Sequence, residues 1–368
     1  MPIKRRTFLA ATATGLAASA TGGVLAPQIA QAATWKKRLT GADLDTNSRW
    51  QVAGTDLGIP YVLENGSIGY LFGDTFNSPW PEQQNNDWRS PVMLRSAVHP
   101  NAAGGIVFDS AARVAGNGRA PEIMHNGHNG IGIDNLWEVT VIPNDGISFP
   151  ETGRQLVSYM SIEHWNAGPR YSLWKSRYAG IAFTDNGNDF VRTNLKWFND
   201  ADNADPFQMW TMQRMGDYVY IHSVRSGRQD GPMMLRRVRW DKLFSPEAYE
   251  GFGWNGTNWG WGRPCSPVLT GRFGEPSVRR LSNGIWVMVY LNAATGNIVS
   301  RWAYGPDTGW SNEKIQVTYA QEPGLYGGFI HPWSGSAANE LHLMVSKWTR
   351  DPANNSTAYH MSQYVGTV

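Results

Sequence analysis

Two aspartates occupy the same end of one predicted β-hairpin. Two apolar runs flank the turn sequence Glu64-Asn65-Gly66, and an Asn-Gly pair between such runs is a strong hairpin signal. Counting outward from this loop places Asp56 opposite Asp74. Facing β-carbons lie about 4.5–5.5 Å apart, so two charges there repel, whereas glycoside hydrolysis requires a pair of carboxyl groups. The ordinary alternative is also open, because an aspartate in Gly-Asp-Thr can hydrogen-bond the backbone of its own turn.

The hairpin is the first of five similar units, each with a strand, a tight turn, a second strand and a third strand. The expected turns lie at Gly66, Gly146, Gly216, Gly284 and Ala338-Asn339. Repeated small antiparallel sheets of this size are typical of β-propellers. We therefore predict an all-β fold, a five-bladed β-propeller that forms a single domain over residues 33–368. A two-sheet sandwich is the structural alternative, and five units argue against it.

In a propeller, the innermost strand of each blade lines a central channel, and ligands bind at one mouth. Acidic residues recur at one end of the predicted inner strands, and a histidine lies just inside the fifth: Asp56, Glu138, Asp205, Glu275 and His331. We expect these side chains to converge on one funnel. This is a second argument for a site, independent of the hairpin.

The segment 254–261, Trp-Asn-Gly-Thr-Asn-Trp-Gly-Trp, has too many aromatic residues for an ordinary exposed loop. Sugars stack their C–H faces on such rings, and asparagine side chains can bond hydroxyl groups. The alternative is a packed lid over the blade ends. Together with the funnel, this segment predicts five substrate-binding residues: Glu275, His331, Glu138, Trp137 and Trp259.

No motif in the sequence predicts a metal ion or a cofactor. His125 and His128 lie in a Gly/Asn-rich loop without a third ligand nearby, and the acidic run 200–205 lacks the glycine and closing glutamate of a calcium loop. Cys265 is the single cysteine, so no intrachain disulfide can form. Phosphate-loop and Gly-x-Ser-x-Gly sequences do not occur.

The N-terminus has the three regions of an export signal. Arg5-Arg6 is followed by Phe8-Leu9, by a weakly hydrophobic stretch over 10–25, and by the small-x-small cleavage sequence Ala30-Gln31-Ala32. We predict a twin-arginine signal peptide over residues 1–32 and a secreted or cell-envelope-associated protein. The stretch is too short and polar to span a membrane, so the mature protein is expected to have no membrane span.

Cleavage changes the charge balance of the chain. The whole chain has 32 basic and 30 acidic residues. Residues 1–33 hold three basic and no acidic residues, which leaves 29 against 30, a net charge of −1. Without a basic patch or run, we expect no nucleic-acid partner and a monomer that binds a polysaccharide.

Several motifs, in the same order, resemble a known family. They are Asp-Leu-Gly at 56–58, Phe-Gly-Asp-Thr-Phe at 72–76, Gly-Glu-Pro-Ser-Val at 274–278 and Tyr-Gly-Gly-Phe-Ile-His-Pro-Trp-Ser at 326–334. The chain resembles, over about residues 40–368, the actinobacterial endo-D-arabinanases of glycoside hydrolase family 183, formerly a domain of unknown function. The resemblance implies a five-bladed propeller that hydrolyses α-D-arabinofuranosyl linkages in arabinogalactan or lipoarabinomannan.

The same resemblance implies that the catalytic carboxyl groups belong to Asp56 and Asp74. A secreted glycan-binding propeller without catalysis would use the same acidic and aromatic funnel, and it is the main alternative. A sialidase-like enzyme would need a tyrosine nucleophile and arginines on the inner strands, whereas the predicted inner strands begin with acids.

Overall fold

The computed structural model describes residues 32–79, 87–165, 173–335, 339–351 and 356–368. The predicted signal peptide therefore lies, apart from its last residue, outside the described residues. The predicted fifth turn is divided in the same way: Ala338 is not described, whereas Asn339 has a φ of 60°.

The described residues form 23 β-strands and one short α-helix, α1 (Asp45–Trp50). The first twelve strands are β1 (Thr34–Arg38), β2 (Gly54–Val62), β3 (Ile68–Phe76), β4 (Val92–Ser96), β5 (Ser110–Ala111), β6 (Gly130–Ile131), β7 (Trp137–Glu138), β8 (Thr140–Phe149), β9 (Arg154–His164), β10 (Lys175–Thr184), β11 (Val191–Phe198) and β12 (Met209–Met215). The others are β13 (Tyr218–Val224), β14 (Asp230–Arg239), β15 (Glu250–Trp254), β16 (Trp259–Trp261), β17 (Leu269–Arg280), β18 (Trp286–Asn292), β19 (Asn297–Ala303), β20 (Lys314–Val317), β21 (Leu325–Ile330), β22 (Glu340–Asp351) and β23 (Ser356–Thr367).

The strands form antiparallel meanders in chain order. Strands β2 to β5 form one sheet, β8 to β11 a second, and β21 to β23 a third that β1 completes. Strands β12–β14 and β17–β20 are two further meanders, joined into one sheet where β14 pairs with β17. The hairpin β15–β16 extends from β14, and β6 pairs with β7 alone.

The first strands of the five meanders surround a common centre. Strand β2 contacts β8, β8 contacts β12, β12 contacts β17, β17 contacts β21, and β21 contacts β2 again. This closed ring of inner strands gives the all-β fold a propeller-like arrangement, as the repeated units predict.

The meanders are covered on both faces. Tyr70, Leu71 and Phe72 follow one another in β3, and each has a relative exposure of 0%. Because successive strand residues point to opposite faces, both sides of β3 are packed. Radial packing of sheets requires this, and it explains why the strands are apolar and aromatic on both sides rather than alternating with polar residues.

Three of the predicted turns are confirmed. Gly66, Gly216 and Gly284 have φ values of 82°, 60° and 86°, a left-handed backbone that glycine adopts more readily than other residues.

The predicted turn at Gly146 is wrong, because Gly146 lies within β8 and the turn follows at Gly153, with φ 70°. Gly146 serves packing instead. A β-carbon at this position would lie 2.5 Å from the Tyr61 ring, so only glycine lets β8 approach β2 this closely.

Strand β1 completes the last sheet. It pairs with β23 from Thr34 with Val365 to Arg38 with Ser362, so it forms the outer edge of the sheet that ends the chain. The backbone N–H of Ala33 also donates to the carbonyl of Gln316. The last sheet is therefore built from both ends of the described chain, which holds the first and last meanders together.

Candidate active site

A cavity lies at one end of the ring of inner strands. Each of the five inner strands contributes at least one residue to its wall. The lining includes Asp56, Asp74 and Glu275, together with Asn144, Arg228, Tyr326 and a group of apolar side chains. Three of the carboxyl groups predicted to matter therefore share one cavity, as the funnel argument requires.

Irregularities in the strand ladders direct polar side chains into this cavity. Four of the five inner strands shift register, and a residue at or within each shift lines the cavity: Asp56 in β2, Asn144 in β8, Glu275 in β17 and Tyr326 in β21. A β-bulge bends the strand and redirects one side chain. The repeated units of the sequence therefore place similar bulges in four of the five inner strands around the cavity.

The predicted register of the hairpin agrees with the structure on both sides of Asp56, although the ladder shifts register at Asp56 itself. Thr55 pairs with Thr75, so the two aspartates are the next residues on β2 and β3. Their hydroxyl neighbours fix this register, because the Oγ1 atoms of Thr55 and Thr75 are 2.7 Å apart in a buried hydrogen bond. Gly73 leaves space for the acid, since a β-carbon there would lie 2.4 Å from Asp56 Oδ1.

Asp56 is held in a buried setting with one oxygen unpartnered. Tyr326 donates its hydroxyl to Oδ2 at 2.8 Å, Tyr359 also hydrogen-bonds the carboxyl group, and Oδ1 has no partner among the described residues. Burial, followed by the charge of Asp74, raises the pKa of Asp56 from 3.8 to about 7. A proton is therefore available on this group near neutral pH.

Asp74 receives donors from two other elements. The indole N–H of Trp88 donates to Oδ1 at 2.7 Å, and the Thr140 hydroxyl donates to the same atom at 3.3 Å. Burial raises the pKa of Asp74 to about 6, while these two donors and nearby His128 oppose the rise. The surroundings of Asp74 thus favour the ionised form more than those of Asp56 do.

Glu275 and Arg228 form an ion pair on the wall of the cavity. Arg228 Nε donates to the two oxygens of Glu275 at 2.8 and 3.1 Å, and a second guanidinium nitrogen also contacts Oε1. The guanidinium carbon lies 5.0 Å from the centre of the Tyr326 ring. Glu275 is therefore part of the site but is already paired with a cation.

An apolar wall completes the cavity. Trp165 and Trp174 contact each other edge to face, with ring centres 5.7 Å apart, and Trp165 is 41% exposed. Beside them lie the buried side chains of Ile142, Met160 and Met209. Half-exposed indole rings next to carboxyl groups suit the C–H face of a sugar, so this wall is suited to holding a substrate against the acids.

The structure places Glu138 and His331 elsewhere, which corrects two of the predicted binding residues. Both oxygens of Glu138 bind Arg192, at 2.8 and 2.7 Å, and the carboxyl group also accepts from Ser161 and Gly127. The prediction failed because β7 precedes the inner strand β8 rather than forming it. Glu138 is a buried structural acid.

His331 is fully buried between two sheets, where its Nε2 is 2.8 Å from the Tyr70 hydroxyl. Burial lowers its pKa well below the usual value. It therefore links β3 to the segment after β21 and does not line the cavity.

The two predicted tryptophans also lie outside the cavity. Trp137 is 46% exposed on the short β6–β7 ladder, and Trp259 is 43% exposed on the hairpin β15–β16, where it stacks on Phe252. The hairpin extends from β14, and neither tryptophan is among the residues that line the cavity. Asp205 likewise caps the backbone N–H of Phe207 and does not line the cavity.

Several residues of the site were not predicted. Tyr326 was visible within the Tyr-Gly-Gly-Phe motif, but no sequence rule joins it to Asp56, which is 270 positions away. Arg228, Trp165 and Trp174 reach the cavity from connections rather than from inner strands, and Trp88 reaches Asp74 from another connection. An isolated arginine in the turn Ser226-Gly227-Arg228 has no pattern that marks it.

His128 and the surrounding loop do not form a recognisable metal site. His128 Nε2 lies 2.6 Å from Glu122 Oε2, and its ring packs against Trp88. Across the described ranges, no group of three or more histidine, cysteine, aspartate or glutamate side chains is arranged to hold a metal ion. In the same part of the chain, no helix has the length and apolar character needed to cross a membrane.

Comparison with known proteins gives a family and a fold. Residues 41–364 match the family described as "Domain of unknown function (DUF4185)". The chain is 54% identical over 339 residues to notoamide biosynthesis cluster protein J' of Aspergillus versicolor, covering 90% of this chain and 92% of that protein. An uncharacterised 35.9 kDa protein of Mycolicibacterium smegmatis is 29% identical over 163 residues, 40% of this chain and 47% of the other.

Two solved structures share the fold. A candidate hydrolase from Bacteroides ovatus ATCC 8483 aligns with a TM-score of 0.58 at 13% identity, covering 86% of each chain. An exo-β-1,3-galactanase from Phanerochaete chrysosporium aligns with a TM-score of 0.50 at 10% identity, covering 90% of this chain and 63% of the other. At such low identity these matches establish a shared fold and nothing finer.

Proposed function

The chain belongs to the DUF4185 family, and we propose that it is a glycoside hydrolase that cleaves α-D-arabinofuranosyl linkages in cell-envelope arabinan. The observation that carries this proposal is the pair Asp56 and Asp74, which lie at the same end of one hairpin and both line a cavity walled by tryptophans. The proposal includes five blades, because five inner strands close the ring. The furanosyl specificity rests on the motif resemblance alone.

The surroundings of the two aspartates suggest a division of roles. Glycoside hydrolysis passes through an oxocarbenium-like transition state, in which one carboxylic acid protonates the leaving oxygen while a carboxylate attacks or activates water. Asp56 lies near two other acids, Asp74 and Glu275, which disfavour its ionisation. We assign Asp56 as the acid and Asp74, with its two donors and nearby His128, as the carboxylate.

The apolar wall provides the binding part of the mechanism. Trp165 and Trp174 would hold the C–H face of a furanose, and the buried Asn144 and the partly buried Glu275 would meet its hydroxyl groups. Enclosure by these side chains excludes bulk water, which strengthens the electrostatic interactions of the carboxyl pair.

Hydrolysis of purified D-arabinan by the wild type and by Asp74→Asn tests the proposal. We expect the wild type to release new reducing ends and the variant to lose at least about 100-fold in rate, a typical cost of removing such a group. Asp230→Asn, with a side chain that is 83% exposed and outside the cavity, is the matched control and should keep full activity. A folded Asp74→Asn protein of unchanged rate would refute the assignment.

A second candidate is hydrolysis of a small glycosylated molecule by the same carboxyl pair. It is favoured by the 54% identity, over nine tenths of the chain, to a protein named for a biosynthesis cluster. Parallel assays with an aryl D-arabinofuranoside distinguish the two substrates. Saturable arabinan binding without new reducing ends would instead indicate the non-catalytic glycan-binding propeller.

A further inference from the structure

A chain of contacts connects Glu275 to Asp56 through two other side chains. Glu275 pairs with Arg228, the Arg228 guanidinium lies over the Tyr326 ring, and the Tyr326 hydroxyl donates to Asp56 Oδ2 at 2.8 Å. All four residues line the cavity. They come from four different segments, namely β17, the turn after β13, β21 and β2, so only the closed ring brings them together.

The backbone at this pair is unusual. Arg228 and Glu275 have φ values of 54° and 37°, and Leu57, which follows Asp56, has 61°. Residues with side chains avoid this left-handed region, and such strain collects at functional sites. Of the nine non-glycine residues with positive φ among the described residues, these three line the cavity. The ion pair thus joins two strained positions beside the acid.

We propose that Arg228 and Glu275 are a positioning pair that sets the charge balance at Asp56 without taking part in bond cleavage. The pair places the anion of Glu275 and the cation of Arg228 beside Asp56. Arg228 also holds the ring of Tyr326, whose hydroxyl donates to Asp56. This inference rests on the proposed function for the identity of the acid. It adds Arg228, which no motif marked, and gives Glu275 a role besides substrate binding.

The charged and titratable groups that face Asp56 come from every neighbouring element. They are Asp74 from β3, Glu275 from β17, Tyr326 from β21, Tyr359 from β23 and Arg228 from the turn after β13. The anion of Glu275 raises the pKa of Asp56, while Arg228 and Asp56 attract each other, which lowers it. Removing one member of the pair should therefore move the pKa of Asp56 in a direction set by the charge that is lost.

Opposite shifts of the pH–activity profile test this inference. In Glu275→Gln the anion is lost, so the pKa of Asp56 should fall. The alkaline limb of the kcat/KM profile should therefore move to lower pH by about half to one unit. In Arg228→Met the cation is lost, so the same limb should move to higher pH by a similar amount. The double variant removes both charges and should return close to the wild-type limb. A merely structural role predicts lower activity with no displacement of the limb.

Arg225→Met is the matched control for loss of a nearby cation. Arg225 lies three residues before Arg228 and, within the described part of the chain, donates only to the carbonyl groups of Ala204 and Asp230, so the limb should not move. Circular dichroism checks folding. If Arg228→Met does not fold, Glu275→Gln still tests the sign, and Arg228→Lys, which keeps the cation, should leave the limb unmoved. Shifts in the same direction, or none, overturn the proposal.

A measurement without substrate separates this inference from the proposed function. The ¹³C resonance of the Asp56 carboxyl group, assigned by its loss in Asp56→Asn, reports its pKa directly in protein labelled at aspartate. Opposite shifts in the two single variants support the positioning pair even if no arabinan is hydrolysed, in which case only the proposed function fails. An unchanged Asp56 titration in both variants contradicts the positioning pair even if hydrolysis is confirmed.

Discussion

At the scale of single residues, the site holds carboxyl groups under conditions that oppose their charge. Asp56 has an oxygen near Gly73 with no partner among the described residues. Burial raises the pKa values of both aspartates, and the charge of Asp74 adds to the rise at Asp56. Such an arrangement favours proton transfer near neutral pH. It also costs stability, because ionising a buried carboxyl group is easier in the unfolded chain.

This cost predicts a pH-dependent gain in stability for Asp56→Asn. Folding raises the pKa of Asp56 from 3.8 to about 7, so between these pH values the folded chain binds more protons than the unfolded chain. Its stability therefore falls as the pH rises through this window. The amide has no such dependence, and we expect the variant to be about 1–3 kcal/mol more stable than wild type at pH 8.

Urea unfolding at pH 8 and at pH 3.5 measures this difference. At pH 3.5 Asp56 is largely protonated in both states, so the advantage of the variant should disappear. Asp230→Asn, at a highly exposed position, should show the same small difference from wild type at both pH values. A variant that is less stable than wild type at pH 8 would show that the carboxyl group contributes to the fold.

At the scale of strands, the ladder irregularities decide which side chains reach the cavity. The register of β2 and β3 shifts by one residue at Gly58 and returns at Gly73-Asp74, so the predicted pairing holds at both ends. The alternation of apolar residues could predict the strands, but not the bulges in β8, β17 and β21. A bulge is stabilised by contacts with neighbouring sheets, and those contacts cannot be predicted from the sequence of one strand.

The close approach of β8 and β2 predicts a large effect of Gly146→Ala. The added methyl group would lie within 3 Å of the buried Tyr61 ring, so the two inner strands must separate. We expect a loss of about 2–3 kcal/mol in the free energy of unfolding, measured by chemical denaturation. Gly116→Ala, where a β-carbon meets open space, is the control and should be nearly neutral. Equal stability of the two variants would contradict the packing role of Gly146.

At the scale of the whole molecule, a closed ring brings distant segments to one place. The buried pair Arg279 and Asp145 joins β17 to β8, Asp145 also accepts from Thr211 in β12, and Arg279 donates to the carbonyl of Pro60 in β2. This network fixes the inner strands next to the cavity. Strand β1 pairs with β23 and so joins the two ends of the described chain in the last sheet.

The role of β1 predicts that a chain starting at Leu39 is much less stable than one starting at Ala33. Loss of residues 33–38 removes the pairing with β23 and exposes its edge. We expect the melting temperature to fall by at least about 5 °C, with increased aggregation, in a thermal scan followed by light scattering. The chain starting at Ala33 keeps β1 and is the control. Equal melting temperatures would show that the other strands hold the last sheet without β1.

The sequence by itself determined the local features of this protein: the repeated strands, three of the tight turns and the hairpin that sets Asp56 against Asp74. These depend on side-chain alternation and turn chemistry, which act between near neighbours in the chain. Only the tertiary structure decided which other residues join the two acids. In that structure Arg228 and Tyr326 belong to the site. Outside it lie four residues that the sequence had predicted there: Glu138, His331, Trp137 and Trp259. The physical reason is that these contacts join positions that lie far apart in the chain, and their geometry exists only once the ring of sheets has closed.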